Sequence, residues 1–126
     1  RISSLSGSDG LYINWMKIKK SMPDCVFCKI VSKEIPSKQE YEDEYCVVFH
    51  DIHPRAKIHL LIVPKKHIAT MKEVTIMDEA MLGRLLVVAA NTAKKFQLDA
   101  YRLLISTGKE AGQEVLHIHL HLMSPL

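Results

Sequence analysis

One stretch of this chain alternates strictly between polar and apolar positions. From Gly112 it runs Gly-Gln-Glu-Val-Leu-His-Ile-His-Leu-His-Leu-Met, so His117, His119 and His121 interleave with Ile118, Leu120 and Leu122. Period-two alternation predicts a half-buried strand, with three imidazoles on one face at roughly 7 Å spacing and aliphatic side chains entering a core. Two other apolar runs, 45–50 and 57–63, predict buried strands; Asp51-Ile52-His53-Pro54 punctuates the first and Pro64 stops the second. Residues 39–42 predict a short strand before an acidic turn. A further strand is predicted over 101–106, with 107–113 as the turn into the histidine strand. The period changes at Thr75-Ile76-Met77-Asp78, which has the form of a capping box with Asp78 in place of the usual Glu or Gln. From there a helix is predicted to Phe96, with Gly83 its one weak point. Its apolar residues, among them Ala80, Leu82, Leu85, Leu86, Val88, Ala89, Ala93 and Phe96, cover more than one stripe. Such a helix requires two partners: one is the sheet, and a second subunit would supply the other. Residues 24–31 predict a short helix with Asp24 as N-cap, ended by Ile35-Pro36-Ser37.

The elements add up to an α+β fold: an antiparallel sheet, its first strands a hairpin or meander, with one long and one short helix packed on it. At 126 residues and 48% hydrophobic the chain makes one domain with a real core. That domain is expected over 23–126. Residues 1–22, Ser/Gly-rich at first and then mixed apolar and basic, read as a poorly ordered tail, either a natural extension or a cloning remnant before Met22. The net charge of +3 is mixed along the sequence, which gives no electrostatic case for nucleic acid. No apolar run approaches the ~20 residues of a membrane span. Three cysteines, two of them spaced Cys25-x-x-Cys28, fit a reducing, cytoplasmic compartment better than a disulfide scaffold.

Aligned histidines offer two chemistries. Residues i and i+2 of a strand can join a third ligand around a catalytic metal, although one ion cannot take all three, since the outer pair lies roughly 13 Å apart. Alternatively, a neutral imidazole attacks phosphorus while its neighbours donate to phosphate oxygens. Cys25 and Cys28 have the spacing of half a zinc site, and the plain alternative is two reduced cysteines on a short helix. A thioredoxin-like role is disfavoured because the flanking pattern is not βαβ. The glycines of Thr107-Gly108-Lys109-Glu110-Ala111-Gly112-Gln113 would let backbone N–H groups approach a phosphate, as any hairpin loop would.

His-Ile-His-Leu-His-Leu-Met resembles the histidine-triad pattern, His-φ-His-φ-His-φ-φ with φ apolar. The likeness extends to Ala111-Gly112-Gln113 and to the segment 46–67, and covers about 24–123. It is closest to the Hint branch of nucleotide-binding hydrolases, which cleave adenosine phosphoramidates. The resemblance implies an AMP-like purine nucleotide substrate and a homodimer paired through the long helix and an adjacent strand. It implies that His119 attacks the α-phosphorus and becomes a covalent nucleotidyl-imidazole. His121 would then donate to a non-bridging oxygen, His117 would orient the row, and His59 would complete the network. No cofactor is required for that chemistry. Asp51 would bind the ribose hydroxyls and Phe27, Ile30 and Ile52 the purine; without the resemblance, Phe27 and Ile30 read as core. Gly112, Gln113 and Val115 would contact the phosphate and neighbouring groups. Ser106 stands where asparagine is usual and Glu114 where some members carry serine. Met123-Ser124-Pro125-Leu126 replaces the usual Gly-Gly and tail, so all three differences fall on the leaving-group side. A subset of the family completes a structural Zn²⁺ site with positions corresponding to Cys25, Cys28, His67 and His117. Other functions of the same frame are dinucleoside polyphosphate hydrolysis and a nucleotide-binding regulatory module with vestigial catalysis.

Overall fold

The computed structural model describes residues 25–125. The expectation for residues 1–22 lies outside them. Helix α1 spans Val26–Val31 and is followed by β1 (Gln39–Glu42), β2 (Cys46–His50) and β3 (Ile58–Pro64). Two 3₁₀ turns, Met71–Glu73 and Ile76–Asp78, lead into α2 (Glu79–Lys95); β4 (Arg102–Leu104), a 3₁₀ turn (Lys109–Ala111) and β5 (Leu120–Ser124) complete the order. All the pairings are antiparallel and the strand order is β1-β2-β3-β5-β4, an open five-stranded sheet.

Strand alternation decides which side chains meet on each face of the sheet. Cys46, Val48, Leu60, Ile62, Leu120 and Leu122 pack with Met81, Leu85, Val88, Ala89 and Ala93 of α2. Val47, Phe49, Leu61 and Val63 point the other way and pack with Cys25, Phe27, Cys28 and Ile30 around α1. His121 lies opposite Leu61 across β3 and β5, and so shares the α1 face. The expected α+β architecture, with one long and one short helix on an antiparallel sheet, is the one observed.

Two helix starts show how local chemistry sets the boundaries. The capping box at Thr75 is formed: its side chain accepts from Met77 N, and Asp78 Oδ2 accepts from Thr75 N at 3.0 Å. Asp78 is buried and also accepts from Lys66 Nζ at 2.7 Å, which ties the start of α2 to the end of β3. At α1 the expectation is corrected. Cys25 rather than Asp24 is the N-cap, its Sγ accepting from Cys28 N at 3.3 Å, and Asp24 lies outside the described residues. The helix stops at Ser32, well before Pro36, because Lys33 takes a left-handed φ of 70°.

A second correction concerns the histidine strand. Its ladder with β3 runs only from Ile58↔Ser124 to Ile62↔Leu120, so His121 is in β5 while His117 and His119 precede it. The reason is local. Pro64 has no N–H to give, its carbonyl is taken by the His117 ring, and Ile118 N instead donates to Ile68 O at 2.8 Å. The strand is also buried on both faces rather than half-buried.

Candidate active site and metal centre

Backbone groups assign the tautomers of the histidine row. His119 Nδ1 lies 2.7 Å from the His117 carbonyl, which can only accept, so Nδ1 donates and Nε2 carries the lone pair. That Nε2 has no hydrogen-bond partner among the described residues. His59 Nδ1 accepts from Arg55 N at 3.0 Å, which leaves the proton on Nε2. His59 Nε2–H donates to His121 Nδ1 at 2.9 Å, with the Asp51 carboxylate 3.4 Å away. The Nε2–H of His121 is then a donor on the opposite edge of its ring. The rings of His119 and His121 are 4.8 Å apart, closer than the roughly 7 Å of a regular strand face, because His119 has left the ladder.

All four imidazoles are buried, and burial is the first cause that holds each pKa below the ordinary histidine value. His117 and His121 are each brought to about 4. The Arg55 guanidinium is near enough to lower His59, His119 and His121 further, while Asp51 opposes it at all three. The row is therefore neutral at pH 7, as a nucleophilic imidazole requires.

His117 belongs to a different cluster. Its Nε2–H donates to the Pro64 carbonyl at 2.8 Å, so its Nδ1 lone pair faces Cys25 Sγ at 3.2 Å, His67 Nδ1 at 3.1 Å and Cys28 Sγ at 3.6 Å; Cys28 Sγ and His67 Nδ1 are 3.3 Å apart. Tetrahedral Zn–N and Zn–S bonds of about 2.0–2.3 Å put neighbouring donor atoms roughly 3.3–3.8 Å apart, so these four residues fit one zinc ion. Asp51, His59 and His121 also converge, but they fit a proton relay instead. The Arg55 amide occupies His59 Nδ1, so a metal on Nε2 would need an imidazolate.

The remaining predicted site residues fall around the row. Phe27 is buried and meets His119 edge to face at 5.0 Å and Phe49 at 5.7 Å. Ile30 is buried in the α1 core, whereas Ile52 is 85% exposed and free to cover a ligand. Gly112 has φ of 102°, a left-handed conformation that an L side chain rarely adopts, and leaves Ser106 Oγ as the nearest atom to an added Cβ. Gln113, expected at the phosphate, is buried and spends its amide on the loop itself: Oε1 accepts from Gly108 N, and Nε2 donates to Ala69 O and Val115 O. Val115 packs against the α1 core, and Glu114 is exposed with its charge within reach of His119. Sequence reasoning missed Arg55 and the Pro64 carbonyl. Their roles come from backbone atoms, which carry no residue-specific signal.

A family model described as the HIT domain matches residues 32–125. The chain belongs to the HIT family. Protein HitA of Neisseria gonorrhoeae is 43% identical to this HIT protein over 103 residues, covering 81% of the chain and 96% of the relative. The crystal structure of a HIT family hydrolase from Legionella pneumophila Philadelphia 1 superposes with a TM-score of 0.80 at 44% identity, covering 82% of this chain and 94% of that one. A histidine triad nucleotide-binding protein from Candida albicans gives 0.73 at 36% identity over 79% of this chain and 73% of its own. This HIT protein therefore has the fold of HIT-family hydrolases. No helix among the described residues is long and apolar enough to cross a membrane.

Proposed function

We propose that this HIT domain is a Hint-type hydrolase of purine nucleoside 5′-phosphoramidates that works through a nucleotidyl-His119 intermediate. The observation that carries the reading is the pairing of a bare His119 Nε2 lone pair with a donor chain from the Arg55 amide through His59 to His121. In the first displacement, His119 Nε2 bonds to the α-phosphorus as the bond to the leaving nitrogen breaks. That electron pair departs on nitrogen, which takes up a proton from solvent; the water that attacks in the second displacement gives one back. His121 Nε2–H donates to a non-bridging oxygen, where charge is concentrated. Water then forms the new P–O bond, the bond to His119 breaks, and the nucleoside monophosphate is released. Asp51 accepts from the ribose hydroxyls, Phe27 and Ile52 flank the purine, Gly112 borders the phosphate, and Ser106 and Glu114 stand on the leaving-group side.

Cys25, Cys28, His67 and His117 would hold a structural zinc ion whose chemistry is to neutralise the thiolates and fasten α1 to β5. His117 then acts by position: its carbonyl orients His119. A homodimer through α2 and the free edge of β4, in a reducing cytoplasmic compartment, completes the proposal.

In the test, His119→Ala and His119→Asn abolish turnover of a fluorogenic adenosine phosphoramidate. AMP binding stays within about tenfold, roughly 1.4 kcal/mol. Mass spectrometry of quenched wild-type reactions finds AMP on the His119 peptide. A wild-type protein that binds AMP but turns over no phosphoramidate would instead be a regulatory module. Faster cleavage of dinucleoside polyphosphates would move it to the other triad branch.

A further inference from the structure

Attack by His119 leaves a positive charge in a buried place. The ring keeps its proton on Nδ1, donated to the His117 carbonyl, so once Nε2 has bonded to phosphorus the imidazole is a cation. A charge taken out of water is costly unless a counter-charge stands close by.

Among the described residues the charges of Asp51 and Glu114 reach His119, and Asp51 has the larger effect. Glu114 is exposed, so water and salt screen it. The Asp51 side chain is only 19% exposed and is fixed in place. Its Oδ1 accepts from His53 N at 2.8 Å, and its own N–H donates to the His59 carbonyl at 3.0 Å. Its Oδ2 stands 3.4 Å from His59 Nε2. A carboxylate oxygen of Asp51, a ring nitrogen of His59 and one of His121 all lie within 4.8 Å of one another, and the His121 ring is 4.8 Å from that of His119.

The Arg55 guanidinium acts on the same three rings with the opposite sign, beside the burial that keeps each of them neutral. Asp51 outweighs Arg55 at His59 and at His119, whereas Arg55 is the stronger at His121. At the attacking ring the carboxylate therefore prevails. Gripping a sugar does not by itself call for this placement, because ribose hydroxyls need only an accepting oxygen, which an amide also has.

We propose that Asp51 does more than hold the sugar: its negative charge is the counter-charge of the His119 imidazolium that forms as phosphorus is attacked. This rests on the phosphoramidase reading above. Asp51 acts across His59 and His121 rather than by touching phosphorus, which makes it a positioning residue for the charge. In the first displacement the ring gains positive charge as the bond to the leaving nitrogen breaks, and Asp51 lowers that barrier. In the second the ring departs as neutral imidazole, so the same charge does not speed it.

The test uses the full chain in saturating excess over two propylamine phosphoramidates, of adenosine and of 2′,3′-dideoxyadenosine. Release of amine in a single turnover reads the first displacement alone, and the dideoxy compound offers Asp51 no hydroxyl to hold. Asp51→Asn keeps the size of the side chain and one accepting oxygen but removes the charge. It is expected to slow release from the dideoxy amidate at least about tenfold. Arg55→Gln leaves the amide on His59 and removes the opposing charge, so it is expected to speed the same step, which a merely structural role of Asp51 does not predict. A smaller loss in Asp51→Asn, or no gain in Arg55→Gln, overturns the proposal. If Asp51→Asn does not fold, Arg55→Gln alone decides. Wild-type protein that releases amine from neither amidate contradicts the phosphoramidase reading, and the proposal falls with it.

Discussion

A buried imidazole has two nitrogens and at neutral pH one proton, and in this protein backbone atoms decide where that proton sits. The His117 carbonyl, the Pro64 carbonyl and the Arg55 amide each fix one ring, so three of the four rings need no carboxylate to hold a tautomer. A pH dependence follows. His121 is held at about 4 in the fold by burial, then by His119, His59 and Arg55, against the opposing Asp51, whereas its unfolded value is 6.5. Between these values the unfolded chain binds the extra proton, so the stability that comes from neutral His121 is fully present above pH 6.5 and is lost as pH falls toward 4. Thermal melts over this range are expected to show a fall in Tm with acid, and His121→Gln to flatten it. A variant that keeps the full wild-type slope would assign the effect to another group.

At the scale of elements, α2 and β4 each carry apolar surface that the other described residues do not cover. On α2, Leu86 is 51% and Val87 57% exposed beside a face that is buried against the sheet. β4 is the sheet's last strand, and its Leu103 and Leu104 are 38% and 41% exposed while its outer backbone edge lacks a strand partner among the described residues. An open edge with apolar side chains is a pairing surface. Sedimentation is expected to return the mass of two chains, and Leu104→Asp to shift it toward one. A mass of one chain at every concentration would contradict the dimer.

For the whole molecule, the Cys₂His₂ cluster joins parts that are far apart in sequence: Cys25 and Cys28 of α1, His67 after β3, and His117 before β5. Protein purified without chelator is expected to contain about one zinc per chain by metal analysis. Chelation should lower Tm and loosen the start of the His119 segment, since α1 and β5 would lose their common tether. Metal-free protein with an undiminished Tm would reduce the cluster to two thiols and two imidazoles packed in a core.

Much of this was legible in the chain itself. The apolar runs placed β2 and β3, the Thr75–Asp78 box placed the start of α2, and the alternation of His117, His119 and His121 marked the segment on which the proposed chemistry rests. Each of these signals is local, carried by residues within a turn or two of one another. Side-chain direction, in contrast, depends on what lies across the sheet. Only the tertiary structure turned His117 away from the row to Cys25, Cys28 and His67, because the ladder ends where Pro64 cannot donate. The same holds for Gln113, whose amide closes its own loop, and for Arg55, which reaches the row through a backbone N–H that any residue possesses. A basic recess is the clearest case. Arg55, Lys57 and Arg102 are unremarkable cations in sequence, and only the β3–β5–β4 pairing brings them to the walls of one space.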